Sequence, residues 1–166
     1  MLAPLLFPSP SPWEGEGDKR GEVLNIEKMI IKQYKPEYEN AIIELWRKCN
    51  LTRPQNNPKL DIERKLKVEP ELFLVGLVEG KIVAAVMGGY DGHRGWVYYL
   101  GVDPAHQRKG LGRQMMAAIE EKIRAMGCPK INLQVRTGNL KAMKFYERIG
   151  FKMDEVVGMG KRLVED

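Results

Sequence analysis

Residues 71 to 102 constrain the fold more than any other stretch. They contain ELFLVGLV, KIVAAVMGGY and WVYYLGV, three apolar runs of strand length bounded by turn residues. Glu79-Gly80 separates the first two at the spacing of a tight hairpin, and YDGHRG supplies the turn before the third. Strands joined by turns this short form an antiparallel meander. The first two runs are apolar on both faces, so the sheet needs a cover on each side.

The rest of the chain supplies that cover. Tyr38, Ile42, Leu45, Trp46 and Cys49 fall at helical spacing, with Pro36 near the N-terminal turn where proline is tolerated. LTRPQNNPKL reads as a loop and DIERKLKV as a short second helix capped by Asp61. Apolar residues at 111, 115, 119, 123 and 126 mark a long helix that stops at Gly127, and LKAMKFYERIG is a further amphipathic helix ending at Gly150. MIIKQY from Met29, KINLQVR and FKMDEVVGMG are strand-like, with one more strand expected at the C-terminus. The order predicts α/β layers in a single domain, which suits 166 residues.

Residues 1–28 differ. They are rich in Pro, Ser, Gly and Glu, show no strand or helix period, and carry no basic segment of the kind that opens a signal peptide. They are expected to be a disordered tail, with Met29 as the true start of a domain over 29–166. The tail holds three of the chain's 27 basic and five of its 22 acidic side chains, leaving the domain at +7. That charge favours phosphorylated small molecules or polyanions. Nucleic acid is disfavoured, because no aromatics interleave with a basic face. Cys49 and Cys128 lie far apart with only two histidines in the chain, so no disulfide framework and no metal site is expected, in keeping with a cytoplasmic setting. No apolar run approaches the ~18 residues that span a bilayer, and no membrane partner is expected.

HQRKGLGRQMM, residues 106–116, carries the chemistry. A phosphate-binding GxxxxGK loop would need a spacing that neither Gly101 nor Gly110 satisfies. A dinucleotide GxGxxG needs a third glycine where Met115 stands. What is left is a strand, a short basic loop and a helix start, whose free N–H groups and dipole favour an anion.

Gln107, Gly110 and Gly112 match the pattern Q/R-x-x-G-x-G/A, and Asn139, Ala142, Phe145 and Tyr146 match N-x-x-A-x-x-F/L-Y. Together these motifs resemble the GNAT superfamily of acetyl-CoA-dependent N-acetyltransferases over residues 29–166, and LWRKCNLTRPQNNP, DIERK and MGGYDGHRG are similar to its bacterial YpeA-type subgroup. The resemblance implies a GNAT fold, with a central, mostly antiparallel mixed sheet of six to seven strands, splayed in the middle and flanked by four helices. It also implies acetyl-CoA as co-substrate, with no metal, and a small-molecule or peptide amine as acceptor. Backbone amides across Arg108, Lys109, Gly110, Leu111, Gly112 and Arg113 would hold the pyrophosphate, with Gln107 as the first residue of the motif. Leu100 and Val102 would offer backbone hydrogen bonds to the pantetheine arm beside a bulge, which Gly101 fits, although it equally fits a packing glycine. Asn139, an N-cap by its place before a helix, would also reach the pantetheine. Tyr146 would be the general acid for the departing thiolate, a transfer between a phenol near ~10 and a thiol near ~8.5.

The base is open. Family glutamates would stand at Gln134 or Trp96, and neither can remove a proton. Asp91, His93, Tyr98, Tyr99 or a water chain are left. The need is real, since deprotonating a lysine amine at pH 7 costs about 4.6 kcal/mol against about 1 for an α-amine. Trp46, Arg53, Asn56 and Asn57 fall in the region that would meet the acceptor, although Trp46 has the phase of a core residue. The missing glutamates also motivate an alternative, an acyl-CoA-binding sensor without turnover. Nothing in the sequence decides between a monomer and a homodimer.

Overall fold

The computed structural model describes residues 28–165. The expected tail lies outside the described residues except for Lys28. Five strands form one sheet in chain order: β1 (Ile30–Gln33), β2 (Phe73–Val78), β3 (Lys81–Tyr90), β4 (Gly95–Val102) and β5 (Ile131–Asn132). The first four are antiparallel to their neighbours, and β5 runs parallel to β4. The β2–β3 hairpin turns where expected, with φ of +49° at Glu79 and +78° at Gly80. That double left-handed turn matches the twist of the flanking strands.

Strand alternation divides the core. Phe73, Val75 and Leu77 of β2 pack against α1 (Glu39–Lys48) and α2 (Pro58–Leu66) on one face. Leu74, with Val86 and Val97, packs against α3 (Leu111–Ala125) on the other, where Phe145 and Tyr146 of α4 (Leu140–Arg148) join the edge of the cluster. Trp46 is fully buried on the first face, stacked at 6.2 Å on Phe73, which itself stacks at 4.4 Å on Tyr34. On the second face α3 lies very close to the sheet. A Cβ on Gly88 would sit 2.8 Å from two atoms of Ile119.

Two expectations are corrected. The second helix begins at Pro58, not at Asp61. Asn57 caps it by accepting from the Lys59 and Leu60 amides at 3.1 and 3.4 Å, and Pro58 takes the first helical position, where its missing N–H has no partner to lose. The sheet has five strands among the described residues, not six to seven. KINLQVR pairs only at Ile131 and Asn132, opposite Gly95 and Trp96, because β4 departs from it beyond that point. With so short a ladder at the edge, residues 151–165 find no strand to extend, and Met153, Val156, Val157 and Met159 stand exposed. The four expected α-helices are present.

The close seating of α3 makes Gly88→Ala an overpacking change. It is expected to lower the unfolding free energy by about 1–3 kcal/mol in urea denaturation.

Candidate active site

The site starts where β4 stops matching β3. Ala85 pairs with Gly101 and Met87 with Tyr98, so Val86 alone faces two residues, Tyr99 and Leu100. This is a β-bulge, and its first residue, Tyr99, has a φ of +52°. The bulge is therefore not at Gly101, which the sequence left open as either a bulge or a packing glycine. Gly101 is paired and buried, and a Cβ there would press on Leu51 at 3.1 Å and on the Cys49 sulfur at 3.3 Å, so it is a packing glycine. Past Trp96, β4 has no strand partner on the β5 side among the described residues. The Asp103 amide bonds Val83, so by ladder alternation the polar groups of Val102 face that open edge. The Val102 carbonyl is already held, by Gln107 Nε2 at 3.0 Å and the Cys49 thiol at 3.3 Å. Gln107 thus braces the strand end with its side chain. Burial and the charge of Asp103 push the Cys49 thiol up, so it stays protonated.

The chain then turns through Asp103, which caps a short 3-10 turn at Ala105 and pairs with Lys48 at 3.2 Å. Arg108 and Gly110 follow with φ of +62° and +79°. Left-handed residues interleaved in this way turn successive N–H groups toward one concave side. The first helical bond of α3 is donated by Gln114 to Gly110, so the Leu111, Gly112 and Arg113 amides precede the helical ladder. Leu111's side chain is buried in the core, and only its backbone is available to a ligand. Arg108 and Arg113 are exposed. Gln114 Nε2 is buried without a partner one residue further on. A donor-rich helix start of this kind fits a phosphate group.

The second motif meets the first directly. A Cβ on Gly112 would lie 3.2 Å from the Phe145 ring, so the second loop glycine lets α4 approach α3. Asn139 caps α4, its side chain accepting from the Ala142 amide at 3.1 Å. Tyr146 sits edge-on between Phe145 at 5.0 Å and Phe151 at 5.6 Å. Burial among these rings pushes its pKa up to about 12.

Residues 33–151 match the family model described as Acetyltransferase (GNAT) family. The chain belongs to the GNAT acetyltransferase family. It is 47% identical over 139 residues, 83% of its length, to an acetyltransferase of Sodalis glossinidius, 98% of which is covered. Among solved structures it is similar to Ard1 of Thermoplasma volcanium, with a TM-score of 0.66, 25% identity and coverage of 76% of this chain and 84% of that one. The aminoglycoside N-acetyltransferase AAC(6')-Iy in complex with CoA shares the fold at a TM-score of 0.69 and 16% identity, over 82% of this chain and 96% of that one. This GNAT protein is accordingly an acyltransferase.

The base candidates separate once the structure is in view. Asp91 accepts from the His93 and Arg94 amides at 2.8 and 2.7 Å and from Trp96 Nε1 at 3.3 Å. Those donors, Arg94 N–H foremost, hold its carboxyl below the usual range, so it fastens a turn and is a weak base. Burial, then the Asp91 charge, pushes Tyr98 up and keeps it protonated. Gln134 is exposed, His93 is exposed beside Arg94, and Trp46 is core. Tyr99 is the exception. Its hydroxyl donates to Asp61 Oδ2 at 2.6 Å, and its ring stacks on Trp46 at 4.3 Å. Asp61 had carried only a capping role in sequence, and nothing in one chain's sequence links positions 61 and 99.

Tyr146 offers a direct check on this electrostatic picture. In alkaline absorbance titration at 295 nm, one phenol is expected to ionise in a late phase centred near about 12, and Tyr146→Phe should remove it. Stability follows the same sign, intact below the unfolded phenol value near ~10 and lost as pH rises toward the folded one.

Proposed function

We propose that the protein moves an acetyl group from acetyl-CoA to a primary amine, of a small molecule or a peptide, by direct attack in a ternary complex. One juxtaposition carries this reading: an open β4 edge at the Tyr99–Leu100 bulge beside the amide-lined start of α3. The CoA held by the aminoglycoside acetyltransferase of the same fold agrees with it.

In this reading the amides of residues 108–113 take the pyrophosphate, with Arg108, Lys109 and Arg113 adding cationic charge around it. The pantetheine lies along β4 as an added strand, meeting the outward N–H groups of Leu100 and Val102. A bulge amide beside the thioester carbonyl stabilises the negative charge that grows on its oxygen. The amine nitrogen attacks the carbonyl carbon, the C–S bond breaks, and the sulfur leaves with its electron pair. Tyr146 gives that sulfur a proton, and the amine's surplus proton passes to solvent. A phenol at about 12 is too weak an acid for a fully hydrated thiolate near ~8.5. The transfer therefore depends on the sulfur sharing the dry pocket of Phe145 and Phe151, which raises the thiol as it raises the phenol.

A thermal-shift series with acetyl-CoA, ATP and NAD, followed by thiol release with a panel of amines, tests the assignment. Stabilisation by acetyl-CoA and thiol release dependent on an amine are expected. Stabilisation by ATP or NAD alone would contradict it, and acetyl-CoA binding with no turnover would favour a sensor. Tyr146→Phe is expected to lower kcat by about 10²–10⁴-fold while keeping the acetyl-CoA shift.

A further inference from the structure

Just ahead of the bulge, β4 carries two aromatic rings that the core does not use. Trp96 pairs with Gly89 and Tyr98 with Met87, and Met87 packs in the α1–α2 core, so both rings stand on that face of the sheet. They lie nearly parallel, 15° apart with centroids at 6.4 Å. Tyr99 is covered by its stack on Trp46, whereas Tyr98 beside it is 52% exposed.

Carboxylates frame the pair. Asp91 Oδ2 accepts from Trp96 Nε1 at 3.3 Å, while Oδ1 takes the His93 and Arg94 amides. All three donors are neutral. The Arg94 guanidinium donates to the His93 carbonyl at 2.9 Å instead, and no Lys or Arg pairs with Asp91 among the described residues. The Asp91 charge reaches Tyr98 as well, adding to the burial that keeps this phenol neutral. Glu69 comes to the same face from below: its Oε2 accepts from the Tyr90 amide at 2.9 Å and would lie 3.6 Å from a Cβ on Gly89, the residue across from Trp96. Lys65, which feels the Glu69 charge, gives its ammonium to the Val68 carbonyl at 2.8 Å. Neutral ring faces beside an unpaired carboxylate attract a cation. The acidic patch is local, within a domain that carries +7 overall.

Position ties this patch to the acceptor. Leu100 and Tyr146 pack with the α3 core, so the leaving sulfur is placed on that side and the α1–α2 face is left for the amine. At ~3.3 Å per strand residue, Tyr98 and Trp96 stand about 7 and 13 Å along β4 from Leu100. An acceptor whose reacting nitrogen is at the bulge therefore has the rest of its chain over the two rings. We propose that Trp96, Tyr98 and Asp91 select acceptors with a second cation, held over the rings against the Asp91 carboxylate. An aliphatic diamine or polyamine meets that description, and an amine bearing a carboxylate is repelled. The inference rests on the transferase proposal above and names its substrate class.

The test measures KM for spermidine, butylamine and β-alanine by thiol release at saturating acetyl-CoA, in the wild type, Tyr98→Leu, Tyr98→Phe and Asp91→Asn. In the wild type the spermidine KM is expected about tenfold below that of butylamine, as for a cation over a partly desolvated ring, with β-alanine the poorest. Tyr98→Leu should erase most of that preference. Tyr98→Phe should keep most of it, because the ring and not the hydroxyl holds the cation. Asp91→Asn should reduce the preference about threefold, since its amide oxygen can still accept the two turn amides while the charge is gone. A wild type that takes butylamine or β-alanine as well as spermidine, or a Tyr98→Leu variant that keeps the preference, would overturn the assignment. If the wild type releases thiol with none of the amines, the transferase proposal fails instead. The ring pair is then judged by Trp96 emission, identified by its loss in Trp96→Phe, during titration with spermidine at constant ionic strength. A change that Tyr98→Leu abolishes supports the cation site; no change in the wild type, or one that Tyr98→Leu leaves intact, overturns it.

Discussion

One extra residue in β4 organises this protein. Because Tyr99 and Leu100 together oppose Val86, β4 bends away from β5 after Trp96 and leaves backbone groups on a sheet edge inside the fold. An interior edge of that kind is a template for an extended ligand. Everything else at the site takes its place from this departure. The β4 strand runs on into the loop that opens α3, and the α4 rings close the far side.

The bulge is held by packing rather than by glycine. Tyr99 is held in its left-handed backbone by Trp46, which stacks on its ring, and by Asp61, which accepts a hydrogen bond from its hydroxyl. Trp46 is in turn stacked on Phe73 of β2. Strain at the bulge is thus supported by the core on the α1–α2 face, while the loop that opens α3 is supported by the core on the α3 face. Cys49 and Gln107 join the two supports at one atom, the Val102 carbonyl.

Much of this was legible in the residues. The Glu79-Gly80 turn, the α3 stripe from Leu111 through Ile123, the Gly127 and Gly150 stops and the Asn139 cap each follow from a local rule and stand where that rule put them, whereas Met126, expected in the stripe, is the exposed C-cap. Features set by distant contacts were not legible. Glycine is the local bulge signal, so sequence could not decide between a bulge and a packing role for Gly101; contacts with Cys49 and Leu51 make it a packing glycine. The second helix starts at Pro58, capped by Asn57, because proline is compatible with a first helical turn, while reading both prolines as loop moved the start to Asp61. That shift hid Asp61 as a side chain facing β4. The expected C-terminal strands had apolar residues but no ladder to join, and whether a strand edge is available is decided at β5, not within residues 151–160.

The central claim is that the bulged, unpaired edge of β4 receives the coenzyme arm. Amide hydrogen exchange of the intact protein, measured with and without acetyl-CoA, tests it most directly. Protection should rise at Leu100 and Val102 and through residues 108–113, with little change in β2 or along the β2–β3 hairpin. Stabilisation by acetyl-CoA without added protection at Leu100 and Val102 would contradict the account.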